Sequence, residues 1–308
     1  LFISYFSWKF IEIKFQKNIS NQAFTFLLLF LIFVICSFSF FGLAKEGYSN
    51  RYEVISNKAL DRDFQLSYFY LYNQNGDICS NYNCEFLNNS QKKIILIGDS
   101  QAELLQKSIY EKIKNTHSFY PLAGDLFFRC NFYKIDSIGD CSQGQKEFFE
   151  EFIVNNSGSV YIFITSYSRY QEDWLKNEEN FTHIFDKILN NGNDLIVINP
   201  VPFVYRNQDI NNLYINRHFS YGELIGYSLD EWNNYRNKII NFFDTKNKSL
   251  FLDPTNIYCN EIVENYCVNA FKDKIYYFDN IHLSHTGIEL LIEFLFQEIN
   301  NNKDYLGN

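Results

Sequence analysis

The sequence contains no methionine, and only 4 prolines and 13 glycines among its 308 residues. So little Pro and Gly excludes collagen-like and linker-like material. An excess of basic charge is missing as well. The 27 Lys and Arg stand against 36 Asp and Glu, a net charge of −9, whereas nucleic-acid-binding proteins show a basic face; nucleic acid is not expected as a partner. No repeat of useful length is visible, and no cysteine pair has the C-x₂-C spacing of a zinc site. Disorder is excluded by what is abundant: 33 Phe and 23 Tyr, with aromatics at 19%. The length allows two ordinary domains, or one large α/β domain with attachments. Because the chain opens at Leu1 and lacks Met, it is read as the C-terminal part of a longer protein.

From Asn18 to Ala44 there is no charged residue. Within this stretch Ala23 to Ala44 is apolar over the roughly 20 residues needed to cross a bilayer. A cleavable signal peptide fits poorly, since its apolar region runs to only roughly 15 residues. Lys9, Lys14 and Lys17 flank one side and Lys45 and Arg51 the other, a small bias that puts the N-terminal flank in the cytoplasm. The expectation is a transmembrane helix within 18–44 and an exported remainder. Apart from Cys36, the cysteines fall into neighbours: Cys79 with Cys84, Cys130 with Cys141, Cys259 with Cys267. Six cysteines formally permit about 15 pairings. Local pairing in an oxidising compartment is the simplest, and zinc is the alternative.

Residues 45–90 are polar and Tyr- and Asn-rich, with a turn signal at Asn75-Gly76-Asp77; they read as an exported stalk clipped by Cys79 and Cys84. Beyond them continuous apolar runs alternate with helical-period stretches. Strands are expected at Lys93–Ile97, Ser118–Tyr120, Val160–Thr165, Leu195–Asn199 and Leu250–Leu252. Helices are expected at Gln101–Lys114, Gln145–Val154, Phe181–Asn191, Leu229–Phe243 and Thr286–Ile299. Such strands suit a parallel sheet covered on both faces, a three-layer α/β/α arrangement with functional residues at the carboxyl ends of its strands.

The first strand runs into Gly98-Asp99-Ser100 and then a helix. A Ser at that junction can cap the helix, or serve as a nucleophile beside backbone N–H groups that receive an oxyanion. Near the other end stands Asp279-Asn280-Ile281-His282-Leu283-Ser284. A nucleophilic Ser needs a base, and the base needs an acid to fix its tautomer; His282 and Asp279 supply both. His285 is the competing base, while Asp99 reads as a stabiliser of the turn.

Together, G-D-S at the first strand's end and D-x-x-H-L-S before the last helix resemble the SGNH/GDSL hydrolase family over residues 91–304. The resemblance implies a flavodoxin-like α/β/α fold, with Ser100 as nucleophile, His282 as base and Asp279 as the orienting acid. It also implies oxyanion donors from the Ser100 and Gly124 backbones. The family's Asn block is absent; in its place Ser166-Tyr167-Ser168-Arg169-Tyr170 offers Arg169 and Tyr170, the Arg-aromatic pair common in SGNH domains fused behind acyltransferase-3 domains. Pro200-Val201-Pro202 and the paired Cys resemble that subfamily too, whereas Gln101 stands where it usually has His. Residues 1–17, with Ser7, Trp8, Phe10, Ile11, Glu12 and Phe15, resemble the end of the last helix of an acyltransferase-3 membrane domain. Lys14 and Gln16 depart from that pattern.

The resemblance implies an O-acetyltransferase of the bacterial inner membrane, with 45–308 in the periplasm. An acyl donor relayed by the membrane domain would supply Ser100, and a hydroxyl of a surface glycan would receive the acyl group. No metal or other cofactor is implied. A membrane-tethered carbohydrate esterase and an inactive glycan-binding module are the alternatives.

Overall fold

Runs such as Ile94-Ile95-Leu96-Ile97 carry apolar side chains at consecutive positions, so both faces of the strand need cover. The computed structural model provides it. Residue 9, residues 30, 32–34, 36–37 and 39–40, and residues 69–79, 84–88, 92–133, 141, 143–166, 177–203, 224–243, 249–271 and 274–302 are described. Two units are separable, Leu1–Val54 and Ile55–Asn308. In the first, the described residues from 30 to 40 are helical and include exposed Phe30, Ile32, Phe33 and Phe40. No helix among the described residues is long and apolar enough to cross a membrane; most of the Ala23–Ala44 run lies outside them.

The second unit is an α/β domain. In chain order it contains β1 (Lys93–Gly98), α1 (Ser100–Ile113), β2 (Ser118–Ala123), α2 (Asp125–Phe132), α3 (Gln143–Asn155) and β3 (Val160–Ile164). Then follow α4 (Glu178–Asn190), β4 (Asp194–Ile198), β5 (Leu224–Ser228), α5 (Leu229–Phe243), β6 (Ser249–Leu252) and the short α6 (Thr255–Tyr258). The chain closes with β7 (Cys259–Val263), β8 (Tyr266–Phe271), β9 (Lys274–Ile275) and α7 (His285–Asn301). The main sheet has the order β2-β1-β3-β4-β6, and all four of its pairings are parallel.

Alternate residues of each strand feed two cores. Ile94, Leu96, Ile162 and Ile196 pack with Leu105 and Ile109 of α1 and Leu291 and Leu295 of α7. Their neighbours Ile95, Ile97, Phe163 and Val197 pack with Phe128, Phe149, Phe181 and Phe185 of α2, α3 and α4. Each such side chain contributes roughly 1.5–3 kcal/mol by leaving water, and most ring pairs on the second face meet edge-on or tilted, as with Phe163 and Phe185 at 5.0 Å and 78°. Helices therefore cover both sides of the sheet, giving the expected three layers.

Two features depart from the expectation. Parts of the segment read as a stalk belong to the domain core: Phe69, Leu71, Cys79 and Cys84 are buried in it, and Phe86 forms an antiparallel bridge with Phe119 on the outer edge of β2. That bridge shields an edge which would otherwise present unpaired backbone groups. Second, a small antiparallel sheet, β5-β8-β7 with β9 on β8, occupies residues read as connections. Its short strands carry bulges, and Asn260 and Asn265 sit at positive φ, so no alternating pattern marks it.

The three cysteine pairs are disulfides: Cys79–Cys84, Cys130–Cys141 and Cys259–Cys267. The last joins register partners on β7 and β8.

Candidate active site

The first part of the site is the turn from β1 into α1. Gly98 pairs with Ile164 of β3, and a Cβ on it would lie 1.8 Å from the Ile164 carbonyl oxygen; only glycine lets the strands approach so closely there. Asp99, not Ser100, caps the helix. Its extended backbone places Oδ1 to accept from the Gln101 N–H at 2.9 Å. Its Oδ2 accepts from Thr165 Oγ1 and from the Ser166 N–H, each at 2.7 Å. Complete burial pushes the Asp99 carboxyl up to about 6, against the opposing pull of the Thr165, Ser166 and Gln101 bonds. Because Asp99 does the capping, Ser100 is the first helical residue and its hydroxyl is left for other work. The Ser100 N–H lies in the first turn, where no helical carbonyl precedes it and the dipole is positive.

The second part is the loop between β9 and α7. Asp279 Oδ1 accepts from the N–H groups of Ile281 at 2.8 Å and His282 at 2.7 Å, an Asx turn built by the residue's own short side chain. The Phe278 N–H closes the loop on the His282 carbonyl at 3.1 Å. Ser284 then caps α7, accepting from the Gly287 N–H, and its hydroxyl donates to the Ile275 carbonyl.

The two parts meet across 182 residues of chain: Ser100 Oγ and His282 Nε2 are 2.9 Å apart. The other ring nitrogen, Nδ1, is 2.7 Å from Asp279 Oδ2. Burial acts to raise the Asp279 carboxyl, but the hydrogen bond and charge of His282, with the two backbone N–H bonds, hold it below the ordinary carboxylate range. It is His282, not His285, that meets the Ser100 hydroxyl; His285 Nε2 lies 3.4 Å from a Glu289 carboxylate oxygen on α7. Hydroxyl, imidazole and carboxylate thus stand in line, an arrangement able to move a proton off Ser100.

Residues 70–297 match a family described as "SGNH domain (fused to AT3 domains)". The chain belongs to the SGNH family. Among solved structures, the periplasmic domain of a lipopolysaccharide acetyltransferase from Salmonella ser. Paratyphi A is similar at 18% identity with a TM-score of 0.53, covering 74% of this chain and 92% of that one. A GDSL-like lipase from Bacteroides thetaiotaomicron is similar at 13% identity with a TM-score of 0.41, covering 70% and 92%. At such identities the likeness is one of fold. No curated protein sequence matches the chain.

Other residues expected in this SGNH site fall less simply. Gly124, at positive φ, donates its N–H to the Gly98 carbonyl at 3.1 Å, so that group is bonded within the sheet rather than turned to an oxyanion. Arg169 and Tyr170 lie outside the described residues. Gln101, the departure from the subfamily pattern, is buried, and its Nε2 donates to the Ile281 carbonyl at 2.8 Å. It ties the helix of Ser100 to the loop of His282, directly beside the pair they form.

Several neighbours were not anticipated. A cleft of about 160 Å³ opens beside Ser100 and His282, lined also by Phe69, Tyr70, Glu103, Leu104 and Phe278. Phe278 stacks on the His282 ring at 5.6 Å and 12°, and Phe69 stacks on Phe278 at 6.2 Å. Glu103 was legible in principle, because a residue three after Ser100 on a helix shares its face. Phe69 carried no such signal.

Proposed function

We propose that the SGNH domain passes an acyl group through Ser100 to a hydroxyl of a bacterial surface glycan. The observation that carries this reading is the line Ser100 Oγ–His282 Nε2 at 2.9 Å and His282 Nδ1–Asp279 Oδ2 at 2.7 Å. Support comes from the family description, whose members are fused to AT3 domains, and from the likeness to the periplasmic domain of a lipopolysaccharide acetyltransferase. In this reading residues 18–44 anchor the chain in the inner membrane, the remainder is periplasmic, and a membrane acyltransferase-3 domain relays the donor. Three disulfides accord with an oxidising compartment.

In the first half-reaction His282 Nε2 takes the Ser100 proton while Oγ bonds to the acyl carbon of the donor. The oxyanion develops beside the Ser100 N–H at the positive end of α1. The bond from acyl carbon to the donor's leaving atom then breaks, and His282 returns the proton to that atom. In the second half His282 removes the acceptor hydroxyl's proton, the acceptor oxygen bonds to the acyl carbon, and the bond to Oγ breaks. Ser100 regains the proton. Asp279 keeps Nδ1–H donating toward itself, so Nε2 is the nitrogen that accepts.

With water in place of the acceptor the same groups would act as an esterase. Supplying p-nitrophenyl acetate with and without a glycan separates the two. Acetylated glycan formed at the expense of free acetate is the expected result; acetate release indifferent to every glycan tested marks an esterase.

A further inference from the structure

The cleft beside Ser100 has two kinds of wall. Phe69, Leu104 and Phe278 are buried apolar side chains presenting an aromatic and aliphatic surface. Glu103 is the acidic group of the lining. It lies one helical turn beyond Ser100 on the same face of α1, and among the described residues its carboxyl accepts no hydrogen bond. Asp125 from α2, Asp99 from the preceding turn and His282 from the opposite loop act on it electrostatically. Asp279 already holds His282 by Nδ1, so Glu103 is a second carboxyl, lining the same cleft as Ser100 and His282.

A partly desolvated carboxylate gains most from a hydroxyl or N–H donor and nothing from a methyl group. An acyl chain therefore has no reason to lie against Glu103. A sugar does, since its ring presents an apolar face to aromatic side chains and its hydroxyls donate. We propose that this half of the cleft is the alcohol subsite, and that Glu103 is a specificity residue accepting a hydrogen bond from the hydroxyl adjacent to the one acylated. The ligand class is a vicinal diol, the pair that a sugar ring offers: one oxygen reaches the acyl carbon and gives its proton to His282 Nε2, and its neighbour donates to Glu103. Burial, with the charges of Asp125 and Asp99, pushes the Glu103 carboxyl up to about 6 against the pull of His282, which strengthens it as an acceptor when ionised. The inference rests on the reading of Ser100 as nucleophile.

The test uses the full chain, p-nitrophenyl acetate as donor, and equal concentrations of propane-1,2-diol or propan-1-ol as acceptor. The quantity read is acetyl ester formed relative to acetate, compared between the two alcohols within each variant, so that overall activity cancels. The diol should be favoured about tenfold, roughly the worth of one hydrogen bond to a charged group. Glu103→Ala should bring the two alcohols within about twofold, and Glu103→Gln, which keeps shape and an acceptor oxygen, should lie between. A diol no better than propan-1-ol in the wild type overturns the subsite, as does a preference that survives Glu103→Ala or acetyl transfer to water alone. Nitrophenolate release that persists in Ser100→Ala, or is missing from the wild type, strikes instead at the Ser100 reading itself.

Discussion

The turn that presents Ser100 and the loop that presents His282 meet at one hydrogen bond but are held by different means. In the first, structure and chemistry are divided between residues. Asp99, fully buried, gives both oxygens to Gln101, Thr165 and Ser166, leaving the Ser100 hydroxyl to His282. In the second, one residue does both jobs. Asp279 shapes the loop with Oδ1 and holds the imidazole with Oδ2. The first turn is anchored in the parallel sheet by β1 and β3, whereas the second hangs between a two-residue strand and a helix start. A loop with so little surrounding sheet needs its acid to fold it as well as to orient the base.

The largest effect expected tests the point where the two meet. Ser100→Ala and His282→Ala should each lower acyl turnover by on the order of 10⁴-fold or more, and the double variant should lose little beyond either, because the pair acts as one unit. Steady-state kinetics on an activated acetyl ester reads all three. A folded Ser100→Ala protein with wild-type turnover would remove the nucleophile.

Next comes the residue with two jobs. Asp279→Asn should cost roughly 10²- to 10⁴-fold in turnover and stability as well. Its carboxyl is held low in the folded protein, so its stabilising contribution is present above the ordinary carboxylate pKa and is lost as pH falls through the folded value. The difference in melting temperature between wild type and Asp279→Asn should therefore shrink below about pH 4. A difference that stays constant to pH 2 would mean the carboxylate does not tie the loop.

Asp99 sharpens the contrast from the other side. Asp99→Ala strips the acceptor from three donors and should destabilise by about 3 kcal/mol, measured by denaturant unfolding. The pH sign is opposite to that of Asp279. With its carboxyl raised from 3.8 to about 6, the native state alone is protonated between those values. This group's contribution to stability thus rises as pH falls from 6 to 3.8 and is flat above 6. The stability gap between wild type and Asp99→Ala should widen on acidification across that window.

The smallest effect concerns the sheet that carries the His282 loop. Replacing Cys259 and Cys267 by Ser opens a short loop and should cost about 2–3 kcal/mol, while Ser100 keeps its setting in the main sheet. Reaction of Ser100 with an organophosphate should then fall much less than in His282→Ala.

Much of this architecture could be read from the residues. The five strands of the main sheet stand within a few residues of their expected places, since strands buried on both faces are continuous apolar runs. The helix Leu229–Phe243 agrees at both ends. The second sheet was not legible because its strands are short and bulged, with polar residues such as Asn260 and Glu261 exposed at its edge. Helix α2 was missed for another reason: Phe127, Phe128 and Phe132 give no clean helical stripe, being buried on several sides.

What the sequence determined by itself is what short-range pattern can encode: the strands, the cysteine neighbours that pair, and the choice of Ser100, Asp279 and His282 as side chains that meet. Tertiary structure decided which groups share one space. It made Asp99 the cap in place of Ser100, because Thr165 and Ser166 of a different strand end supply its remaining bonds. It bonded the Gly124 N–H to Gly98 within the sheet. It also folded Phe69, from the segment read as a stalk, onto Phe278, and brought Glu103 into the cleft that Ser100 and His282 line. The physical reason is that propensity and periodicity act over a few residues, whereas burial and the partners of a buried polar group depend on segments far apart in the chain.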